Sequence, residues 1–436
     1  MSPAPTGLRI LLLCHGFNSL SQRLFAELRA RGHTVSVELD INDRVTEEAV
    51  ALFRPDVLIA PFLKRRIPAS VWQNLTCLVV HPGPPGDQGP SALDWAVLRG
   101  ETTWGVTVLQ ANAEFDAGPV WSHDSFSLRA GSKASLYRRE VTQAAVRATL
   151  VAVQRFVDGE RVGDAPPPGQ WRPAMRQADR AIDWTQHTTA EVLARLRCAD
   201  GQPGVLDALW GQPCHLADGN AASDVVMAGF AQATPGDLLA QRDGAVLRRT
   251  RDGGVWLGQV RRVGEGAPGF KQVATEAFAA EAAALPALPV PLERPEDEWG
   301  ELRYTEHGPD GARVGCLRFD FHNGAMSTAR CERLREAWLA VRARPVQVLL
   351  LMGGDDFFSN GIDLNTIEWA SHRAGDSAAD ASWRNIHAMN DLALAVIETT
   401  GRLPVSVLRG NAGAGGVFLA LAADEVWAHD LSLIHI

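Results

Sequence analysis

His81 in "LVVHPGPPGDQGP" and Asp116 in "EFDAGPVW" are the residues of the first half best suited to proton chemistry. An imidazole titrates near neutrality, so it can take a proton and return it, while a nearby carboxylate orients the ring and balances its charge. A histidine chosen at random is more often a loop residue bonded to a backbone carbonyl. Here, however, the Pro/Gly segment that follows continues neither a strand nor a helix, and loops of that kind tend to carry function. A second feature lies in the last third, where "FFSNGIDL" at residues 357–364 is followed by the turn "GNAGAGGVFLAL". A lone glycine-rich turn is a weak signal, since tight strand-to-helix packing explains it as well. The two segments together are more specific than either alone.

The elements that must position His81 and Asp116 alternate between two periods. "RILLLCHG" reads as a buried strand, and "SLSQRLFAELRARG" as a helix with a capping box at Ser19 and Gln22, a stripe at Leu20, Leu24 and Leu28, and a stop at Gly32. "TVSVELD", "PDVLIAPF" and "LTCLVVH" read as further strands, with "VTEEAVALF" a short helix. This alternation predicts an α/β domain, Rossmann-like, with a parallel sheet covered by helices and a crevice at the strands' carboxyl ends. The later strand "TTWGVTVLQ" then brings Asp116 to the same edge as His81. The first strand-to-helix turn is "CHGFNS" rather than G-x-G-x-x-G, which disfavours a dinucleotide.

A chain of 436 residues exceeds one ordinary core and predicts at least three units. Composition shifts divide it into 1–165, a small β-rich part at 166–285 beginning in "DAPPPGQWRPAMRQADRAIDW", a proline-rich acidic linker at 286–300, and a further α/β part at 301–436. The last part opens with a hairpin turning at Pro309, Asp310 and Gly311 and continues through the strands "VQVLLLM" and "PVSVLRG". The final "LSLIHI" neither caps an element nor forms a polar tail, so a truncated or foreign terminus is expected.

Composition excludes several function classes. A hydrophobic content of 46% with 21% charged residues fits a globular protein, and no apolar run approaches the ~20 residues of a membrane span. The N-terminus lacks a basic region before its apolar run, which points to a cytoplasmic protein. Six scattered cysteines without a C-x-x-C pair argue against a structural metal. A net charge of −9 argues against nucleic acid, and "KRR" at 64–66 reads as a solvated face.

The succession strand-His-Pro, Gly/Pro loop, "WGVTVLQ" and "FDAGPVW" resembles the folate-dependent formyltransferases over residues 8–285, and "ADRAIDWTQHTTAEVLARLRCAD" looks like the start of their small C-terminal domain. The resemblance implies that His81 and Asp116 act on the N10-formyl group of 10-formyl-tetrahydrofolate. It implies that Pro61, Phe62, Leu63 and Lys64 hold the pterin, with Asn18 and Ser19 of the first turn also at the cofactor. One position departs: the family's catalytic asparagine falls on Val79, whose side chain cannot donate to an oxyanion.

The paired glycine segments of the last part resemble the crotonase, or enoyl-CoA hydratase/isomerase, superfamily over residues 301–429. That resemblance implies an oxyanion hole for a coenzyme A thioester, with the N–H groups of Ile362 and Gly415 as donors, Gly361 and Gly416 beside them, and the dipole of the following helix in support. Phe418 occupies the position of a catalytic glutamate, so hydration of a double bond is not expected, and the superfamily's C-terminal helices fall outside the resemblance. The combination resembles hydrogenase maturation proteins of the HypX (HoxX) type. It implies transfer of the formyl group to coenzyme A and release of carbon monoxide for the iron of a [NiFe]-hydrogenase. The implied partners are small-molecule substrates and that hydrogenase or its other maturation proteins, with no nucleic acid or membrane. Two alternatives stand beside it: a formyltransferase or hydrolase using another acceptor, and a non-catalytic formyl carrier or scaffold.

Overall fold

Arg9–Cys14, Val57–Phe62 and Cys77–His81 consist almost wholly of aliphatic residues and are buried on both faces, as strands covered by helices must be. In the computed structural model, which describes residues 7–429, Ser432 and Ile434–His435, they pair in parallel with one another and with Thr34–Leu39. Of the terminal "LSLIHI", Leu431, Leu433 and Ile436 lie outside the described residues. The sheet order is Thr34–Leu39, Arg9–Cys14, Val57–Phe62, Cys77–His81, Thr103–Gln110, Val120–Ser127. The last two strands are antiparallel to their neighbours. The expected parallel sheet is present in the first four strands, and only the direction of "TWGVTVLQ" differs from expectation, because a buried run reads the same in either direction and the helix-containing connection before it permits both.

Helix Ser19–Ala30 buries Leu20, Leu24 and Leu28, the predicted stripe. Its cap differs from the capping box expected at Ser19. Asn18 is the N-cap, its Oδ1 accepting from the Ser21 N–H at 3.0 Å, while Gln22 Nε2 donates to the Phe17 carbonyl at 2.9 Å. Asn18→Ala should therefore lower stability by roughly 1 kcal/mol. A denaturant midpoint unchanged from the parent protein would contradict that role.

The chain packs as two compact units. One runs to Arg180 and includes Arg197–Gln202; the other comprises Ala181–Leu196 and the described residues from Pro203 onward. In the first, the loop after His81 is held by a two-residue pairing of Asp87–Gln88 with Gln170–Trp171. The stretch "DAPPPGQW", where the small β-rich part was expected to begin, thus forms part of the structure around His81.

The second unit contains two larger sheets. Val205–Leu209, Gln212–Ala221, Leu238–Arg242, Ala245–Arg249 and Gly254–Arg262 form an antiparallel sheet, with short Gln272–Val273 beside it. The other begins with the predicted hairpin, Leu302–His307 against Val314–Phe319, and continues in parallel through Val348–Met352, Leu403–Leu408 and Glu425–Ala428. Helices Thr328–Val341 and Ala378–Ile397 close its core around Leu334, Trp338, Leu392 and Val396. Among the described residues no helix is long and apolar enough to cross a membrane.

Candidate functional site

His81 ends its strand and is 4% exposed. Its Nδ1 lies 3.6 Å from Asp116 Oδ1, and its Nε2 lies 2.8 Å from Asp87 Oδ2. The first pair was expected to meet at adjacent strand ends, but the route is different. Thr103–Gln110 pairs Thr107 with His81 and Gln110 with Leu78, so its carboxyl end lies beside the start of the His81 strand. Asp116 reaches the imidazole because loop 111–119 doubles back. Gly118 makes this possible, since a Cβ there would stand 1.8 Å from the Gln110 carbonyl oxygen. Asp116 takes a left-handed φ of 53°, which aspartate tolerates better than most residues, and its Oδ2 accepts from the Gly89 N–H at 3.1 Å.

Burial pulls the His81 pKa below the ordinary imidazole value; Asp116 opposes the drop and Arg172 adds to it. Burial thus favours the neutral ring, the state in which it can accept a proton. Pro61 and Phe62 end the neighbouring strand, followed by Leu63 and the exposed Lys64, so the predicted pterin residues share an edge with His81. The Lys64 ammonium lies 6.0 Å from the Phe62 ring centroid. Ser19 is the first helical residue, and the Asn18 side chain is committed to capping and to Tyr137, whose hydroxyl its Nδ2 meets at 3.4 Å. Val79 packs with Leu63 on the apolar cluster that includes Leu58 and Cys77 and brings no polar group. The Thr107 hydroxyl donates to the Gly83 carbonyl at 2.8 Å and does not fill that gap.

In the second unit Gly361–Ile362 and Gly415 are adjacent: a Cβ on Gly361, whose φ is +81°, would stand 2.8 Å from the Gly415 nitrogen. The N–H groups flanking Ile362 have side-chain acceptors, Ser359 Oγ for Gly361 at 3.0 Å and Asn385 Oδ1 for Asp363 at 3.2 Å. Gly416 sits where a Cβ would be 2.1 Å from the Ser359 carbonyl oxygen, so the loops touch through backbone. The helix they lead into, Gly415–Ala420, contains Gly415 and Gly416 rather than following them and is short, which limits any dipole contribution. Ala414 before it holds φ 44° and ψ −125°, a strained backbone for a residue with a Cβ. Phe418 is 63% exposed and carries no acid.

A family model described as formyl transferase matches residues 9–153. The hydrogenase maturation factor HoxX of Bradyrhizobium diazoefficiens is 54% identical over 436 residues, which cover 98% of this chain and 72% of that protein. This chain belongs to the HypX/HoxX family of hydrogenase maturation factors. The crystal structure of HypX from Aquifex aeolicus in complex with tetrahydrofolic acid matches with a TM-score of 0.90 and 42% identity, covering 98% of this chain and 73% of that one. Methionyl-tRNA formyltransferase of Variovorax paradoxus is 26% identical over 237 residues, 53% of this chain and 70% of that protein. The chain is therefore a HypX/HoxX-family maturation factor with a formyltransferase domain.

Two residues beside the His81 ring, Asp87 and Arg172, carry no functional signal in the sequence. Asp87 lies among prolines and glycines, where an aspartate ordinarily reads as a turn former. Arg172 arrives through the Gln170–Trp171 pairing, which no periodicity marks. The six cysteines are buried, and burial pushes thiols such as Cys77 and Cys331 up to about 12, so these two are poor nucleophiles.

Proposed function

We propose that the first unit transfers the formyl group of 10-formyl-tetrahydrofolate to the thiol of coenzyme A, and that the glycine-lined loops of the second, a crotonase-like site, take the resulting thioester and release carbon monoxide for a [NiFe]-hydrogenase iron. The observation that carries this reading is the buried His81 imidazole facing Asp116 at the edge where Pro61 to Lys64 emerge. Tetrahydrofolic acid in the Aquifex relative supports the choice of formyl donor. His81 takes the thiol proton as the sulfur–carbon bond forms, and returns it to N10 as the carbon–N10 bond breaks. Asp116 balances the transient imidazolium. At the second site the Ile362 and Gly415 N–H groups polarise the thioester oxygen. The formyl C–H and C–S bonds then break, the proton passes to sulfur, and carbon monoxide leaves with the thiol restored. This reading requires the cytoplasm, where both small molecules reside.

Val79 favours one competing reading, a hydrolase or another acceptor, because the oxyanion donor of ordinary formyl transfer is absent there. The two separate in one assay: 10-formyl-tetrahydrofolate is incubated with and without coenzyme A while tetrahydrofolate, formate and carbon monoxide are followed. Tetrahydrofolate release that depends on coenzyme A, with carbon monoxide and little formate, is expected. Release of formate at the same rate without coenzyme A would sink the transfer reading.

A further inference from the structure

Two carboxylates address the His81 ring, one at each nitrogen, and only one lies within hydrogen-bond distance. Nε2 and Asp87 Oδ2 are 2.8 Å apart, whereas Nδ1 and Asp116 Oδ1 are 3.6 Å apart. The Asp87 side chain is 1% exposed, and its other oxygen contacts the Arg172 guanidinium, itself 12% exposed. Paired in this way, the Asp87 carboxylate accepts hydrogen bonds and offers none, so the proton between it and the imidazole sits on Nε2.

The surroundings hold this arrangement rigid. A Cβ on Gly83 would stand 2.6 Å from His81 Nε2 and 2.4 Å from Asp87 Oδ2, so glycine lets the loop close directly over the pair. That loop is pinned by Thr107 Oγ1 on the Gly83 carbonyl at 2.8 Å and by Trp104 Nε1 on the Pro82 carbonyl at 2.9 Å. The Arg172 guanidinium lies 5.4 Å from the centroid of the Trp104 ring, and Asp87 is itself paired across to Gln170.

We infer that Asp87, held by Arg172, is a positioning residue that fixes the His81 imidazole as its Nε2–H tautomer and leaves Nδ1 as the atom that accepts the nucleophile's proton. This rests on the formyl-transfer reading of the same site. In the step it describes, the nucleophile's hydrogen passes to Nδ1 as its bond to the formyl carbon forms. The same proton leaves Nδ1 for N10 as the carbon–N10 bond breaks, and the Nε2 proton stays with Asp87 throughout. Asp116 Oδ1, facing Nδ1, becomes the counter-charge of the transient imidazolium.

The test combines a variant with a measurement on the unaltered protein. Asp87→Asn offers Nε2 an amide donor in place of a carboxylate and so favours the wrong tautomer. Tetrahydrofolate release should fall roughly 10²–10⁴-fold, with KM for the folate unchanged. The charged groups facing His81 among the described residues are Asp87, Asp116 and Arg172, so the pH profile moves in a defined sense. Removing the Asp87 charge destabilises the imidazolium and shifts the acid limb of kcat/KM to lower pH, whereas Arg172→Gln shifts it to higher pH. A merely structural role would lower the rate and leave the limb in place. Independently of any variant, nitrogen-15 NMR of histidine-labelled protein should show His81 protonated at Nε2 and bare at Nδ1. An Nδ1–H tautomer, an Asp87→Asn rate close to the parent's, or an unmoved acid limb overturns the inference. Failure of the unaltered protein to release tetrahydrofolate with any acceptor would instead remove the formyl-transfer reading on which it rests.

Discussion

Replacing His81 by alanine is expected to abolish formyl removal from the folate while leaving the fold in place. The expected loss is at least the ~10²–10⁴-fold that a positioned acid–base group contributes. The fold should survive because Asp87 keeps its Arg172 partner when the imidazole is gone. Asp116→Ala should produce a loss of the same order. Its carboxylate faces Nδ1 and its other oxygen accepts from Gly89, so the substitution removes both the counter-charge and one tether of the HPGPPGDQG loop. The two residues act on one proton, so the double variant should be scarcely worse than either single one. Tetrahydrofolate release followed by absorbance, with circular dichroism as the folding check, measures all three. Near-parental release by either single variant would take the chemistry away from this edge of the sheet.

What the sequence made legible here follows from how each residue is held in place. His81 could be read because an apolar run ending in histidine before a Pro/Gly loop has few structural uses. The strands Arg9–Cys14, Val57–Phe62 and Cys77–His81 could be read because continuous burial demands continuous aliphatic residues. The direction of Thr103–Gln110 could not, since period alone carries no polarity, and the position of Asp116 was therefore expected for a reason that the topology does not supply. The N-cap slipped by one residue because Asn18 and Ser19 are both good caps, and the choice between them depends on where the strand-to-helix turn ends. Asp87 and Arg172 stayed hidden for a further reason. Their role arises from a two-residue strand pairing between distant loops, and neither loop has a pattern that announces it. The glycines of the second unit were legible as a pair of turns. Their reason for being glycine, backbone packed on backbone at Gly361, Gly415 and Gly416, became visible only in three dimensions.

That packing also decides how the second site can be tested. No side-chain deletion removes an N–H, but proline at position 415 does. Gly415 is the first residue of its helix, the position where proline is best tolerated, because the missing donor lacks an intrahelical partner there. Some disturbance is still unavoidable: a Cβ at 415 would stand 2.4 Å from Met389 Sδ, the far end of a flexible side chain, and 3.5 Å from Gly361 Cα. Gly415→Ala places the same Cβ against Met389 and keeps the N–H, while proline also presses Ala414, at φ 44° and ψ −125°, toward the extended region, so the comparison is read only on protein whose fold is verified. Loss of one oxyanion donor costs roughly 2.7 to 4 kcal/mol of transition-state stabilisation. Gly415→Pro should thus release carbon monoxide about 10²- to 10³-fold more slowly than Gly415→Ala, while both keep parental, His81-dependent tetrahydrofolate release. Thermal melts beside those two readouts separate a lost donor from a lost fold, because tetrahydrofolate release reports on the first unit and a second unit collapsed by proline alone would mimic a lost donor. Carbon monoxide release by Gly415→Pro as fast as by Gly415→Ala, with circular dichroism matching, would take the Gly415 N–H out of the mechanism and, with it, the reason for assigning the thioester to these loops.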